Sequence, residues 1–171
     1  IDLSDSSKLD SNSNAFIDQL DALVHAIDGD VSMLLMNGDM LLKVRAAARR
    51  AGYYERTTDD FGRVVEMFGG TPLVDLGKYY NGTASVDVVG TSTPTASAAG
   101  TTSIYAVSLA LDGFHGISPT GTGIINSYMP DMNAPGAVKT GEVELVAGAV
   151  LKNTLKAASL NGIVMKPKTG G

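Results

Sequence analysis

Residues 13–52 hold two different hydrophobic periodicities back to back, and that alternation restricts the chain to folds in which helices pack on a sheet. Phe16, Leu20, Leu23 and Ile27 recur every three or four residues and form one stripe of a helix, widened by Ile17 and Val24. Ser13 or Asn14 is the expected cap, and Gly29 is placed to end the helix in a left-handed turn. The run Val31-Ser32-Met33-Leu34-Leu35-Met36 is apolar on both pleat faces except at Ser32, as in a central strand covered on both sides. After Asn37-Gly38-Asp39 a second helix is predicted over 40–51. It carries Leu41, Val44 and Ala48 inward, with Asn37 or Asp39 as cap and Gly52 as stop. The fold class is α+β.

Lys43, Arg45, Arg49 and Arg50 flank this second helix. Cations in the last turns favour the negative end of the helix dipole, which accounts for part of the cluster. A net charge of −5, and no aromatic residues between the basic ones, argue against general affinity for nucleic acid. At 171 residues and 44% hydrophobic content the chain can bury one good core. It has no cysteine, which excludes disulfides, thiolate metal sites and cysteine nucleophiles within it, and its two histidines are too few for a zinc site. No apolar run approaches the roughly 20 residues needed to cross a bilayer, so no membrane role is expected. Ile1-Asp2-Leu3-Ser4 does not resemble a signal peptide, and a start without methionine suits a processed product or fragment.

Residues 1–12, rich in Ser, Asp and Asn, are expected to form a flexible tail. Short strands are predicted over 63–68 and 71–76 around Gly69-Gly70, with Pro72 at a strand start or edge. Residues 81–102 are mostly Gly, Ser, Thr and Ala, the composition of a long surface loop with at most a weak hairpin. A central strand is expected over 103–111 and an irregular stretch from 112 to about 140. Glu142-Val143-Glu144-Leu145-Val146 then alternates as a strand with one wet face. A short helix over 151–160, with Leu155 and Leu160 inward, and a strand over 163–165 close the pattern, and 166–171 fray. These divisions give an α+β unit at 13–140 and a returning unit at 141–165.

Candidate chemistry is sparse. Asp21 and His25 lie four apart, but on the solvated helix face. Gly121-Thr122-Gly123 lacks the last glycine of a dinucleotide fingerprint. Asp59 and Asp60 suit a turn into Phe61-Gly62-Arg63, and Asp112 with His115 flanks a Gly113 turn. Asn81-Gly82-Thr83 matches a glycosylation acceptor, which matters only for a protein secreted by a eukaryotic cell. No catalytic, metal or cofactor-binding residue is assigned. Two alternatives stay open: a small α+β enzyme of unknown reaction, which requires a pocket gathering His115, Asp112 and another polar group, and a non-capsid virion or surface-binding module, which binds a partner yet never self-associates.

In order, Phe16 to Leu23, Leu34-Leu35-Met36-Asn37, the basic helix, Asp60-Phe61-Gly62-Arg63 and Gly70-Thr71-Pro72-Leu73 resemble the major capsid proteins of tailed bacteriophages, a fold shared with encapsulin shells. The likeness continues through Ser103-Ile104-Tyr105-Ala106, Asp112-Gly113-Phe114-His115-Gly116, Val143-Glu144-Leu145 and Ala157 to Ile163. It implies an axial-domain sheet flanked by helices plus part of a peripheral domain. It also implies a non-enzymatic head subunit that forms pentamers and hexamers around dsDNA, with scaffolding and portal proteins as partners. Such a protein resides in the virion, and in the bacterial cytoplasm before assembly. In that family an N-terminal arm, an extended loop and much of a long helix precede the matched region, for which there is no room before Phe16. Candidate subunit contacts are Arg45, Arg49 and Arg50 against Glu142, Glu144 or Asp18 of a neighbour.

Overall fold

The computed structural model describes residues 1–52, 55–58, 64–121, 123–133 and 135–169, with 55–58 and 64 described by backbone alone. The expected turn through Asp59, Asp60, Phe61, Gly62 and Arg63 lies outside these residues, as does Thr122.

The first helix, α1 (Ser6–His25), starts well before Ser13 because Asp5 caps it: the Asp5 backbone is extended and its carboxylate accepts from the Lys8 N–H at 2.8 Å. Ser13 is instead buried within the helix, and Leu9 extends the stripe of Phe16, Ile17, Leu20, Leu23 and Ile27 by two turns. The flexible tail expected at 1–12 is therefore corrected. Leu3 is fully buried, the Leu3 N–H donates to the Val164 carbonyl at 2.9 Å, and Asn12 Nδ2 donates to the Asp2 carbonyl at 2.8 Å. The polar residues of this segment cap and coat a helix, so their composition does not signal disorder.

The Ser4 N–H donates to Asp2 Oδ1 at 3.0 Å, and this bond to the charged form holds the Asp2 carboxyl below its usual 3.8. Since the folded value is the lower one, the stabilisation is complete above the unfolded pKa and is lost as pH falls through the folded one. Asp2→Asn is expected to lower the melting temperature slightly at neutral pH and to flatten this part of the acid limb. Melting curves from about pH 7 to about pH 2 test it, and identical acid limbs for both proteins would count against it.

Beyond α1 the chain forms β1 (Met33–Met36), α2 (Gly38–Ala51), β2 (Glu55–Thr58), β3 (Val64–Phe68), β4 (Thr71–Asp75), β5 (Lys78–Tyr80) and β6 (Ser85–Asp87). It continues as β7 (Gly100–Val107), β8 (Phe114–Ile117), β9 (Ile125–Tyr128), β10 (Glu142–Leu145), β11 (Gly148–Leu151), a 3-10 turn (Thr154–Lys156) and β12 (Ala157–Lys166). Six strands make one mixed sheet in the order β12-β7-β1-β4-β3-β2. The pair β1 and β4 is parallel and the rest are antiparallel; a parallel pair needs a crossover, which α2 and the β2–β3 hairpin supply.

Both helices lie on one face of this sheet. Leu34 and Met36 of β1, Ile104 and Ala106 of β7, and Ile163 and Met165 of β12 form the core there with Phe16, Leu20, Met40 and Val44. The expectation of a strand covered on both sides is corrected. Met33 and Leu35 point to the other face and are only half-buried, and Tyr105, paired with Leu35, is exposed.

The start of α2 follows the sequence, with Asn37 Oδ1 accepting from the Met40 N–H at 2.8 Å and Gly52 closing the helix at φ 77. Met40 and Ala47 are buried beside Val44 and Ala48, whereas Leu41 is only partly covered. Residues 81–102 are not one long loop. They contain β6, hairpinned to β5, and then the buried Val89, and Ser92 and Thr101 close the next excursion through a 2.8 Å backbone bond.

The short helix expected over 151–160 is also absent. Leu155 and Leu160 are five apart and hold no single helical face, so Leu155 stays exposed while the chain pairs along β7 from Ala157 onward. A register shift between Leu160 and Ile163, with Gly162 at φ 74, takes up the irregularity. Residues 157–166 thus belong to the main sheet and not to a separate returning unit at 141–165. The fraying expected from 166 is corrected for 166–169, since Lys166 pairs with Gly100 and the Thr169 N–H donates to the Thr95 carbonyl at 3.1 Å.

Candidate functional site

The stretch from 112 to about 140, expected to be irregular, holds two strands that pair with two from 142–151 to form a two-stranded arm. Near its base β8 pairs with β11, Phe114 opposite Leu151, and farther out β9 pairs with β10, Ile125 opposite Leu145 and Tyr128 opposite Glu142. The Val146 N–H donates to the Ile124 carbonyl at 3.1 Å and links the two ladders. At the root, the Ser108 N–H donates to the Lys156 carbonyl, the Phe114 N–H to the Ser108 carbonyl and the Lys152 N–H to the Gly113 carbonyl. Gly113 is required there by space: a Cβ would lie 2.5 Å from the Ser108 carbonyl oxygen. Gly113→Ala is expected to destabilise the root by about 1–3 kcal/mol. Hydrogen exchange should then speed up at the Phe114 and Lys152 amides, and unchanged protection would contradict this reading.

Directly opposed residues share a ribbon face. Glu142, Glu144, Tyr128 and Asn126 therefore lie on one side, and Val143, Leu145, Ile125 and Ser127 on the other. One face is acidic and the other mostly aliphatic, yet nothing covers the aliphatic one: Val143 is 72% exposed, Leu145 67% and Ile125 66%. The expected dry face of β10 is thus bare within the chain. The alternation of 142–145 was visible in the sequence, but its partner strand, Ile125–Tyr128, was not recognised.

The arginines expected at subunit contacts divide into two kinds. Arg45 pairs with the buried Glu66, and Arg50 pairs with Asp10. Arg49 is exposed and forms no ion pair among the described residues. The chain does not bring Glu142 or Glu144 to these arginines; both glutamates sit on the outer ribbon.

No hydrogen bond or ion pair joins Asp112 to His115 among the described residues. Asp112 turns to Lys156 at 3.6 Å, and Lys156 Nζ also donates to the Asp28 carbonyl at 2.6 Å. His115 lies in β8 opposite Val150, with its Nδ1 shielded and without a hydrogen-bond partner among the described residues. Asp21 and His25 are exposed on α1. Gly121 and Gly123 lead into a strand and not the helix that a dinucleotide site needs. Asn81 is occupied in its turn, where its side-chain oxygen accepts from the Thr83 and Ala84 N–H groups. At the neighbouring hairpin, the Asp87 carboxylate accepts from Lys78 at 3.0 Å and holds that ammonium above its ordinary pKa of 10.5. Clefts of about 320, 390 and 400 Å³, around Tyr105, Ile117 and Ala158 respectively, have no charged side chain in their linings. No group of three or more metal-ligating side chains occurs among the described residues.

The sheet with two helices on one face and a projecting arm has a counterpart among solved structures. The cryo-electron microscopy structure of the holo-SrpI encapsulin complex from Synechococcus elongatus PCC 7942 matches with a TM-score of 0.64 at 16% sequence identity. The match covers 91% of this chain. The chain shares the fold of that encapsulin subunit. The match spans 52% of the encapsulin chain, about half its length. No protein-family model matches the sequence, and no curated protein does. The likeness is therefore one of three-dimensional architecture.

Proposed function

We propose that this chain is a structural building block of a closed protein shell, assembled from copies of itself. The observation that carries the reading is the fold likeness to an encapsulin over 91% of the chain. In its finer form the shell is an icosahedral bacteriophage or prophage head, in which pentamers and hexamers enclose dsDNA without sequence-specific binding. Scaffolding and portal proteins are its partners, and the bacterial cytoplasm is its site before assembly. An encapsulin-type compartment is the second reading, favoured by the identity of the matched structure.

A shell subunit needs complementary surfaces repeated by symmetry and no tuned catalytic group. Contacts that are weak singly become durable when each subunit makes several at once. The bare aliphatic ribbon and the exposed Arg49 suit that requirement, and Arg49 facing Glu142 or Glu144 of a neighbour is the proposed orienting contact. Arg45 and Arg50 are engaged within the chain and hold its own helices in place.

Electron microscopy of the full-length product expressed alone tests the reading. Closed particles are expected, and nucleic acid inside particles from infected or induced cells separates a phage head from a compartment. A protein that stays monomeric at high concentration overturns the proposal.

A further inference from the structure

The β9–β10 ribbon and the outer flank of α2 are each unfinished in the single chain, and their chemistries match. On α2, Leu42, Ala46 and Arg49 are spaced four and three apart and so share one face. Leu42 is 58% exposed and borders a cleft of about 200 Å³ with Lys43, Met165 and Lys166. In that lining Lys43 and Lys166 outnumber Asp39, and Arg49 lies two turns beyond Leu42 on the same helix face, so this flank is apolar at Leu42 and basic around it. The ribbon carries the converse pattern: Val143, Leu145 and Ile125 on one face, Glu142 and Glu144 on the other. It is only two strands wide, about 5 Å between them. An arginine coming round the open edge of β10 therefore reaches the glutamates while the aliphatic face is seated.

Resting on the shell reading above, we infer that the aliphatic face of the β9–β10 ribbon docks on the α2 flank of a second copy of this chain. Leu42 lies at the centre of the contact, and Arg49 meets Glu142 and Glu144 at its rim. The ribbon surface and the receiving surface differ, so the contact is head-to-tail and propagates from copy to copy until a ring or shell closes. The aliphatic centre supplies affinity, and the charges set orientation.

The test uses the full-length protein, with sedimentation and electron microscopy as readouts and circular dichroism to establish that each variant folds. Val143→Ser with Leu145→Ser is expected to abolish assembly while the fold is retained. Arg49→Glu alone, and Glu142→Lys with Glu144→Lys, should each raise the concentration needed for assembly by about tenfold or more, because the repulsion recurs at every contact. Combining Arg49→Glu, Glu142→Lys and Glu144→Lys in one chain should restore assembly, since every contact then again pairs opposite charges. Wild-type particles together with charge and aliphatic variants that assemble normally overturn the inference and leave the shell reading standing. Charge variants that fail separately and also fail when combined in one chain overturn the pairing in trans. A wild-type protein that never associates overturns both readings.

Discussion

Phe16→Ala is expected to cost about 3–5 kcal/mol of folding stability, the largest single loss in this chain. Phe16 is fully buried, and it stands in the middle of the α1 stripe among Leu20, Leu34, Met40 and the strand residues beneath them. Truncation removes the transfer energy of the ring and leaves a cavity between two helices and a sheet, which a packed interior closes only in part. Against a typical domain stability of about 5–15 kcal/mol this is roughly a fifth or more of the total. Urea unfolding should show a lower midpoint with an unchanged slope, and Phe16→Leu should recover most of the loss. A midpoint shift no larger than that of an exposed α1 position, such as Asp18→Ala, would mean that α1 does not pack as described.

Asn37→Ala is the second large effect, expected at about 2–4 kcal/mol because one substitution removes a helix cap and several buried hydrogen bonds. Asn37 is 2% exposed. Its side-chain oxygen accepts from the Met40 N–H, while Nδ2 donates to the Val89 carbonyl at 2.9 Å, to Thr102 Oγ1 at 3.1 Å and to Thr91 Oγ1 at 3.2 Å. One amide therefore joins the end of β1, the start of α2, the segment before β7 and β7 itself. Asn37→Asp separates the two roles: it keeps the cap but replaces the donors with a buried charge aimed at a carbonyl, and it should be at least as damaging. If aspartate were tolerated as well as asparagine, the donor side of this network would carry no weight.

Both predictions concern residues that the sequence makes conspicuous for local reasons. Phe16 belongs to a three-and-four spacing, and Asn37 precedes a helix at capping distance from Met40. Gly52 was legible in the same way, since a helix stop is written within a few residues of itself. The helical cap at Asp5 was equally local, but the Ser, Asp and Asn composition of 1–12 pointed to a solvated tail. The bond from Leu3 to Val164 that anchors this segment spans almost the whole chain, and nothing near Leu3 announces it.

The arm was the least legible part. The pairing of Phe114 with Leu151, and of Ile125 with Leu145, joins short strands separated by prolines, glycines and hydroxylated residues that each read as loop. Leu155 and Leu160 suggested a helix because apolar residues near one another carry no record of their distant partners. The candidate arginines show the same divide. Their position on the helix was readable, but which of them the chain consumes was not, because Glu66 reaches Arg45 and Asp10 reaches Arg50 only after the sheet and helices have packed.

From its sequence alone this chain was committed to two amphipathic helices around an apolar strand, to an α+β class and to chemistry without thiols. These properties follow from spacing, capping and composition, which act over a few residues. Tertiary structure alone decided that the N-terminal residues enter the core, that one face of the sheet stays open and that an amphipathic ribbon projects with its aliphatic side bare. Burial and strand pairing are relations between distant residues, and only the folded chain brings those residues to the same place.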